Sequence, residues 1–210
     1  MKTYNEIAGH RIQRVEAISD GVFAIALTLL VLDIKVPVTE SIHSENELMA
    51  EFFSLAPKLL TYFLSFLTLG IFWTGQSSQF QFIEKSDRSF NWINLFFLLF
   101  VSVIPFTTAF LSEHITYKFA IGLYWLNIFL LGIMLYINWT YAEKHNFISV
   151  PPEEESDVSK AIKRRIIYAS SLYTIAALLC FINTYLSIAV FIAVQLNSAI
   201  AILSKSNRQI

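Results

Sequence analysis

Two carboxylates and an arginine stand just before the first apolar run of the sequence. Arg14, Glu16 and Asp20 are followed by twelve uncharged residues, and the run ends at Asp33. Twelve helical residues measure about 18 Å, whereas the hydrocarbon core of a bilayer is about 30 Å thick, so a spanning helix must carry Glu16 and Asp20 into the membrane. Carboxylates at that depth usually face other helices or water. We therefore expect this segment to be a membrane helix that is shielded from lipid.

The same segment has two different faces when its residues are placed at 100° intervals. One face has Glu16, Asp20, Ala24, Leu27 and Val31, and the other has Ile18, Ile25, Leu29 and Leu32, with Thr28 between them. Aliphatic side chains stacked around an axis can gate a pore, because a narrow apolar throat excludes water and ions. An aliphatic stripe at this spacing is also typical of ordinary helix packing. The sequence leaves both interpretations open.

The rest of the chain indicates how such a helix is held. With 55% hydrophobic residues and a mean hydropathy of +0.56, the chain has more apolar surface than one soluble core of this length can bury. Uncharged stretches predict the membrane helices, because a charged residue at mid-bilayer costs about 2.5 to 3.5 kcal/mol. The stretch at 166–204 is long enough for two helices with a turn near Asn183 and Thr184.

These stretches predict an all-α integral membrane protein with six transmembrane helices in a single domain, residues 1–210. The predicted spans are 15–36, 53–80, 89–112, 119–142, 164–182 and 185–204, with a linker at 143–163. Of the 15 Lys and Arg residues, only Lys35, Lys58 and Lys118 fall on the side opposite the termini. Because cytoplasmic loops carry the excess of Lys and Arg, both termini and the linker are predicted to be cytoplasmic.

Motifs for catalysis and metal binding are missing from the sequence. It contains neither H-E-x-x-H nor G-x-S-x-G. Its four histidines are scattered, and Cys180 is the only cysteine, which excludes an internal disulfide. A net charge of -1 does not favour a nucleic acid. We predict that the chain is not an enzyme and has no metal site, cofactor or nucleic-acid partner.

A short motif at the start of the first helix is specific enough to indicate a family. Residues 14–20 read R-V-E-A-I-S-D, which closely resembles the R-x-x-x-F-S-D signature of the transmembrane protein 175 family, the endosomal and lysosomal potassium channels and their prokaryotic relatives. Trp73, Asn94 and the sequence P-F-T-T at 105–108 also resemble that family. Two positions differ: Ile18 replaces the usual Phe, and Gln76 stands where prokaryotic members commonly have His, which removes a titratable group.

The resemblance implies a potassium channel in the plasma membrane of a prokaryote, assembled as a homotetramer of six-helix subunits. The first helix then lines the pore, with a hydrophobic constriction at Ile25, Leu29 and Leu32 and with Thr28 as the polar candidate for selectivity. A polar network that braces this helix without binding ions is implied at Arg14, Ser19, Asp20, Trp73 and Gln76. Potassium and other monovalent cations are the implied permeant ions. Since the sequence has no T-V-G-Y-G filter, a ring of filter carbonyls is not expected.

A cation- or proton-coupled secondary transporter is the main alternative to a channel. Intramembrane Glu16 and Asp20 are residue types that carry protons or cations in transporters. However, six helices without paired Gly or Pro interruptions are few for alternating access within one chain. A membrane scaffold without ion flux is a third reading.

Overall fold

We describe residues 12–36 and 42–206 of a computed structural model of the chain. The α-helices of these residues are α1 (Ile12–Leu29), α2 (Glu45–Ser54), α3 (Ala56–Phe80), α4 (Arg88–Glu113), α5 (Lys118–Lys144), α6 (Pro152–Leu178) and α7 (Thr184–Ser206). Short 3-10 turns continue α1 over Leu30–Asp33 and α6 over Leu179–Phe181. Within the described ranges every regular element is helical, which confirms the predicted all-α class.

Five helical segments are long and apolar enough to cross a membrane: Ile12–Asp33, Ala56–Phe80, Arg88–Glu113, Lys118–Lys144 and Glu153–Phe181. The described side chains of α7 cover Thr184–Ser198, and the sixth crossing stays a prediction. The predicted cytoplasmic position of the two termini concerns residues that lie outside the described ones.

Capping side chains explain where two of the helices begin. Asp87 accepts a hydrogen bond from the backbone N–H of Phe90 (2.7 Å) and starts α4. Asn183 accepts from the N–H groups of Tyr185 (2.8 Å) and Leu186 (3.2 Å) and starts α7. These oxygens satisfy backbone donors that have no partner within the helix.

Two helix boundaries differ from the prediction. The helix is interrupted at Leu55, between α2 and α3. The predicted span 53–80 therefore corresponds to a helix that begins at Ala56 and has Pro57 in its first turn. The predicted linker 143–163 is helical from Pro152 onwards. Proline lacks the N–H that a first turn leaves unpaired, so both prolines favour a helix start.

The helices pack as a bundle in which α3 is central. α3 contacts α1, α4, α5 and α7, while α6 packs against α5 and α7. Of the other long helices in the described part of the chain, α1 packs closely only on α3 and α4. α1 is therefore a peripheral helix of the subunit, attached along one side.

A second, smaller core lies at the end of the bundle that carries the basic loops. It joins the first turn of α1 to the loops α3–α4 and α5–α6 through Ile12, Val15, Phe80, Ile83, Phe90, Trp139 and Ala142. The two loops are paired, because Glu84 N–H donates to the Phe147 carbonyl (3.0 Å) and Ser149 N–H to the Phe82 carbonyl (2.8 Å). The base of α1 is thus held by parts of the chain far away in sequence.

Candidate pore helix

One face of α1 is buried against α3 and α4. It consists of Ile12, Val15, Ser19, Phe23 and Ala26, and the turn after the helix adds Leu30. Phe23 is the largest of these side chains, and its ring lies 6.0 Å from that of Phe97 on α4. The spacing of three and four residues is that of a single helix face. This buried face lies between the two faces recognised in the sequence, so neither of those two is the packing face of the subunit.

The predicted constriction residues lie on the exposed side of α1. Ile25 is 60% exposed, Leu29 43% and Leu32 69%, and Ile18 is exposed below them. Thr28 is also exposed, and its hydroxyl donates to the Ile25 carbonyl at 2.8 Å. The hydroxyl proton is therefore used within the helix, while the oxygen is free to accept.

The exposed side of α1 differs in composition from other exposed helix faces. Besides its aliphatic residues it carries small ones, namely Ala17, Gly21, Ala24 and Thr28, and its only aromatic residue, Phe23, is buried. α4 instead exposes large aromatic residues, among them Trp92, Phe96 and Phe106. Small residues allow helices to approach one another closely in a membrane. The exposed side of α1 is therefore suited to contact with other helices.

A buried chain of hydrogen bonds links α1 to its two neighbours. The Gln76 side-chain amide on α3 donates to the Asn94 side-chain oxygen on α4 (2.6 Å), and the Asn94 amide donates to the Ser19 hydroxyl (3.2 Å). Ser19 in turn donates to the Val15 carbonyl at 2.9 Å. Each group gives its proton to the next, which satisfies buried polar atoms that would be costly without a partner.

A second polar contact lies beside this chain, at the edge of the bundle. The indole N–H of Trp73 donates to an Asp20 carboxylate oxygen at 2.8 Å. Arg14 lies on the exposed side of the helix, about 140° from Ser19 by helical geometry. Four of the five predicted network residues therefore form two pairs, Ser19 with Gln76 through the buried Asn94 and Asp20 with Trp73 at the edge of the bundle.

Asn94 is the site residue that sequence reasoning missed. Its match to the family pattern was visible, but its place between Ser19 and Gln76 was not. An uncharged amide inside an apolar span was the available signal, since such groups are buried and hydrogen-bonded.

The opposite end of α1 is held by different polar residues. Asp33 accepts a hydrogen bond from the Ser112 hydroxyl (3.1 Å), and next to Ser112 the Glu113 carboxylate pairs with Lys58 at 2.6 Å. These contacts join α1, α3 and α4 at their shared end. Among the described residues no group of three or more His, Cys, Asp or Glu side chains could hold a metal ion.

Comparison with known proteins extends these observations. The sequence profile described as endosomal/lysosomal potassium channel TMEM175 matches residues 14–105. A protein from Chamaesiphon minutus named as a potassium channel is 33% identical over 181 residues, which cover 84% of this chain and 88% of that protein. One from Streptomyces collinus, also named as a potassium channel, is 31% identical over 84% of this chain and 85% of its own length.

A longer relative and a solved structure complete the comparison. The human endosomal/lysosomal proton channel TMEM175 is 32% identical over 83% of this chain, which corresponds to 36% of its own length. The crystal structure of a lysosomal potassium-selective channel TMEM175 homolog from Chamaesiphon minutus matches with a TM-score of 0.77 and 30% identity, over 90% of this chain and 96% of that one. The similarity therefore extends along nearly the whole chain, well beyond the motif in α1.

Proposed function

Because the chain belongs to the endosomal/lysosomal potassium channel TMEM175 family, we propose that it forms a potassium-permeable channel from several identical subunits, with α1 of each subunit around the central axis. The two bacterial relatives that match over most of their length are named as potassium channels, which supports potassium as the permeant ion. The full proposal is a tetramer of six-span subunits in a prokaryotic plasma membrane, with both termini in the cytoplasm.

The exposed aliphatic stripe of α1 is the observation that carries this proposal. Ile25, Leu29 and Leu32 are exposed in the subunit, yet the helix bearing them has a polar base and small residues between them. A helix of this kind is poorly suited to lipid alone. Around a symmetry axis the same residues of several copies form stacked rings, so a single face of one helix produces a complete throat.

Gating then follows from the chemistry of the rings. A narrow throat of aliphatic side chains binds water weakly, so it dries and blocks ions until it widens slightly. Thr28 provides the polar group of the same helix, with its oxygen available to a partly dehydrated cation. Preference for potassium arises because its hydration shell is removed more easily than that of sodium.

Potassium flux in liposomes tests the proposal. In Leu29→Asn the polar side chain keeps the throat wet, so the flux per reconstituted protein should rise about tenfold, which corresponds to roughly 1.4 kcal/mol of barrier. Ile25→Asn and Leu32→Asn should act in the same direction.

Val31→Asn is the matched control for these variants. Val31 is 47% exposed in the 3-10 turn that continues α1, and it lies roughly 120 to 160° from Leu29 around the helix axis. Its flux should stay at the wild-type value. If none of the three stripe variants raised the potassium flux, or if Val31→Asn raised it equally, the stripe would not form the throat.

Proton conduction is a second candidate, because the longer animal relatives are named as proton channels. Separate measurements of potassium and proton flux in the same liposomes distinguish the two ions. Unitary current steps in planar bilayers support a channel of either kind, whereas slow, saturating flux with fixed ion coupling would support the transporter alternative.

A further inference from the structure

An open groove runs along the surface between α5 and α6, with a volume of about 510 Å³. Its walls are mostly apolar and include Phe129, Ile133 and Tyr136 of α5 and Ile167 and Ile175 of α6. Ser171 and Thr174 also line it, but their hydroxyls donate to carbonyls of their own helix, both at 2.8 Å. The groove therefore offers an apolar surface to an occupant.

Small residues create this space. A smaller cavity of about 80 Å³ lies behind the groove and shares Gly132, Ile166 and Ser170 with it. A Cβ atom on Gly132 would come within 2.6 Å of the Ser170 hydroxyl, so α5 and α6 approach closely at this point. The cavity is also lined by Gly75 of α3 and by Arg165 of α6.

The dimensions of the groove match one leaflet of a membrane. Arg165 is the last charged residue before Lys205, so it marks the level at which α6 enters the hydrocarbon. From Arg165 to Ile175 the helix rises about 15 Å, which is half of the roughly 30 Å hydrocarbon core. Ile166, the residue after Arg165, is the first residue of α6 that lines the groove, and Ile175 is the last. The groove therefore runs from just below the lipid headgroups on the side of the basic loops to about the middle of the bilayer.

Charge distinguishes the two ends of the groove. Residues 163–165 are basic, and Lys163 pairs with Glu143, whereas no ion pair to Arg165 is found in the described part of the chain. An unpaired guanidinium at the headgroup level, above an apolar groove one leaflet deep, complements a phosphate attached to an acyl chain.

We propose that this groove binds one anionic phospholipid, with an acyl chain between α5 and α6 and the phosphate on Arg165. The site contains no residue of α1, so it is separate from the proposed pore and does not depend on it. Arg165 supplies the preference for an anionic headgroup, and the apolar walls hold the chain.

Native mass spectrometry of the purified, delipidated protein tests this site. The probes are phosphatidylglycerol and phosphatidylcholine with identical chains, each added separately. Wild-type protein should retain about one phosphatidylglycerol per subunit in preference to phosphatidylcholine. Arg165→Gln should weaken phosphatidylglycerol retention about tenfold, as expected for a lost charged hydrogen bond, and leave phosphatidylcholine unchanged.

Two matched controls define the outcome. Arg164→Gln removes the same charge from the neighbouring residue, which lines neither the groove nor the cavity behind it, and should change retention less than about twofold, because diffuse charge is screened by salt. Ser171→Phe fills the groove and should remove both lipids, whereas Ser102→Phe, on an exposed position of α4, should not.

Three results would overturn the proposal. Equal effects of Arg164→Gln and Arg165→Gln would mean that general attraction to a basic surface explains the binding. Undiminished lipid retention in Ser171→Phe would mean that the lipid binds elsewhere. A changed number of subunits in Ser171→Phe, read from the same spectra with lipid retention intact, would assign the groove to a contact between subunits.

Discussion

Thr28 is the polar residue on the exposed side of α1 that carries an oxygen acceptor between Ile25 and Leu29. Its hydroxyl proton is donated to the Ile25 carbonyl, so in the proposed pore its free lone pairs are the groups that a cation would meet. Removal of this oxygen should affect the choice between ions more than the opening of the throat, since the aliphatic rings remain.

We therefore predict that Thr28→Val lowers the potassium-to-sodium permeability ratio about threefold, in the range of a single weak hydrogen bond. Bi-ionic reversal potentials in planar bilayers measure the ratio. Thr28→Ser, which keeps the hydroxyl, should retain the wild-type value. An unchanged ratio in Thr28→Val would remove this residue from the account of selectivity.

The contact between Asp20 and Trp73 has a different role, because it joins the base of α1 to α3 at the edge of the bundle. The carboxylate accepts the indole proton at 2.8 Å. Trp73 is 43% exposed, so competition from solvent and lipid headgroups reduces the contribution of this hydrogen bond to stability.

Trp73→Phe should lower the free energy of unfolding by about 1 kcal/mol and the melting temperature in detergent by about 2 to 4 °C. Trp92→Phe is the control, since Trp92 is 53% exposed on α4 and undergoes the same change of shape. A loss of equal size in both variants would show that ring size, and not the hydrogen bond, is responsible.

Among the helices, the contact of α1 with α3 and α4 depends on Asn94. This residue accepts from Gln76 and donates to Ser19, so its removal takes the acceptor from the buried Gln76 amide and leaves the Ser19 hydroxyl with its bond to the Val15 carbonyl alone. A buried polar group without a hydrogen-bond partner lowers the stability of a protein, although the loss measured in membrane proteins is moderate.

Asn94→Leu should destabilise the subunit by about 1 to 3 kcal/mol, to be measured as a lower melting temperature in detergent. Asn91→Leu on the same helix provides the comparison, because the Asn91 side-chain oxygen is buried and has no hydrogen-bond partner. That control should be neutral or slightly stabilising. An equal loss in both variants would contradict a specific role for the chain from Gln76 to Ser19.

In the whole subunit, the proposed pore helix and the proposed lipid groove involve different helices. α1 packs on α3 and α4, while α6 packs on α5 and α7. The second core joins these parts, because Ile12 and Val15 of α1 share it with Trp139 of α5. Trp139 donates to Ser159 of α6 at 3.0 Å, so the base of α1 and the polar start of α6 belong to one packed unit.

Assembly around α1 is testable with a single cysteine. The native Cys180 is buried, so it gives little background in cross-linking. Leu29→Cys should form disulfides between subunits upon mild oxidation, and Leu99→Cys, which is 52% exposed on α4, should not. Light scattering of the same protein should give four times the 24.0 kDa of one chain.

The chain is a multi-pass membrane protein of a channel family, and much of this could be predicted from its sequence. Charges define where apolar helices end, because an ion in lipid is costly wherever the helix packs. The motif at 14–20 indicated the family, and the relative from Chamaesiphon minutus that matches over most of this chain agrees. The helical start of the linker at Pro152 was missed, although Pro151 and Pro152 were visible signals for it.

The faces of α1 required the tertiary structure. In water an apolar stripe predicts the buried face, but lipid is as apolar as a leucine side chain, so this rule does not hold within a membrane. Ser19 is buried in this subunit and Ile25 is exposed, because Ser19 finds a partner in Asn94 across 75 residues of sequence. The sequence by itself determined that the chain is a multi-pass membrane protein and which channel family it belongs to. Only the packing of side chains from distant helices decided which side of each segment faces the bundle.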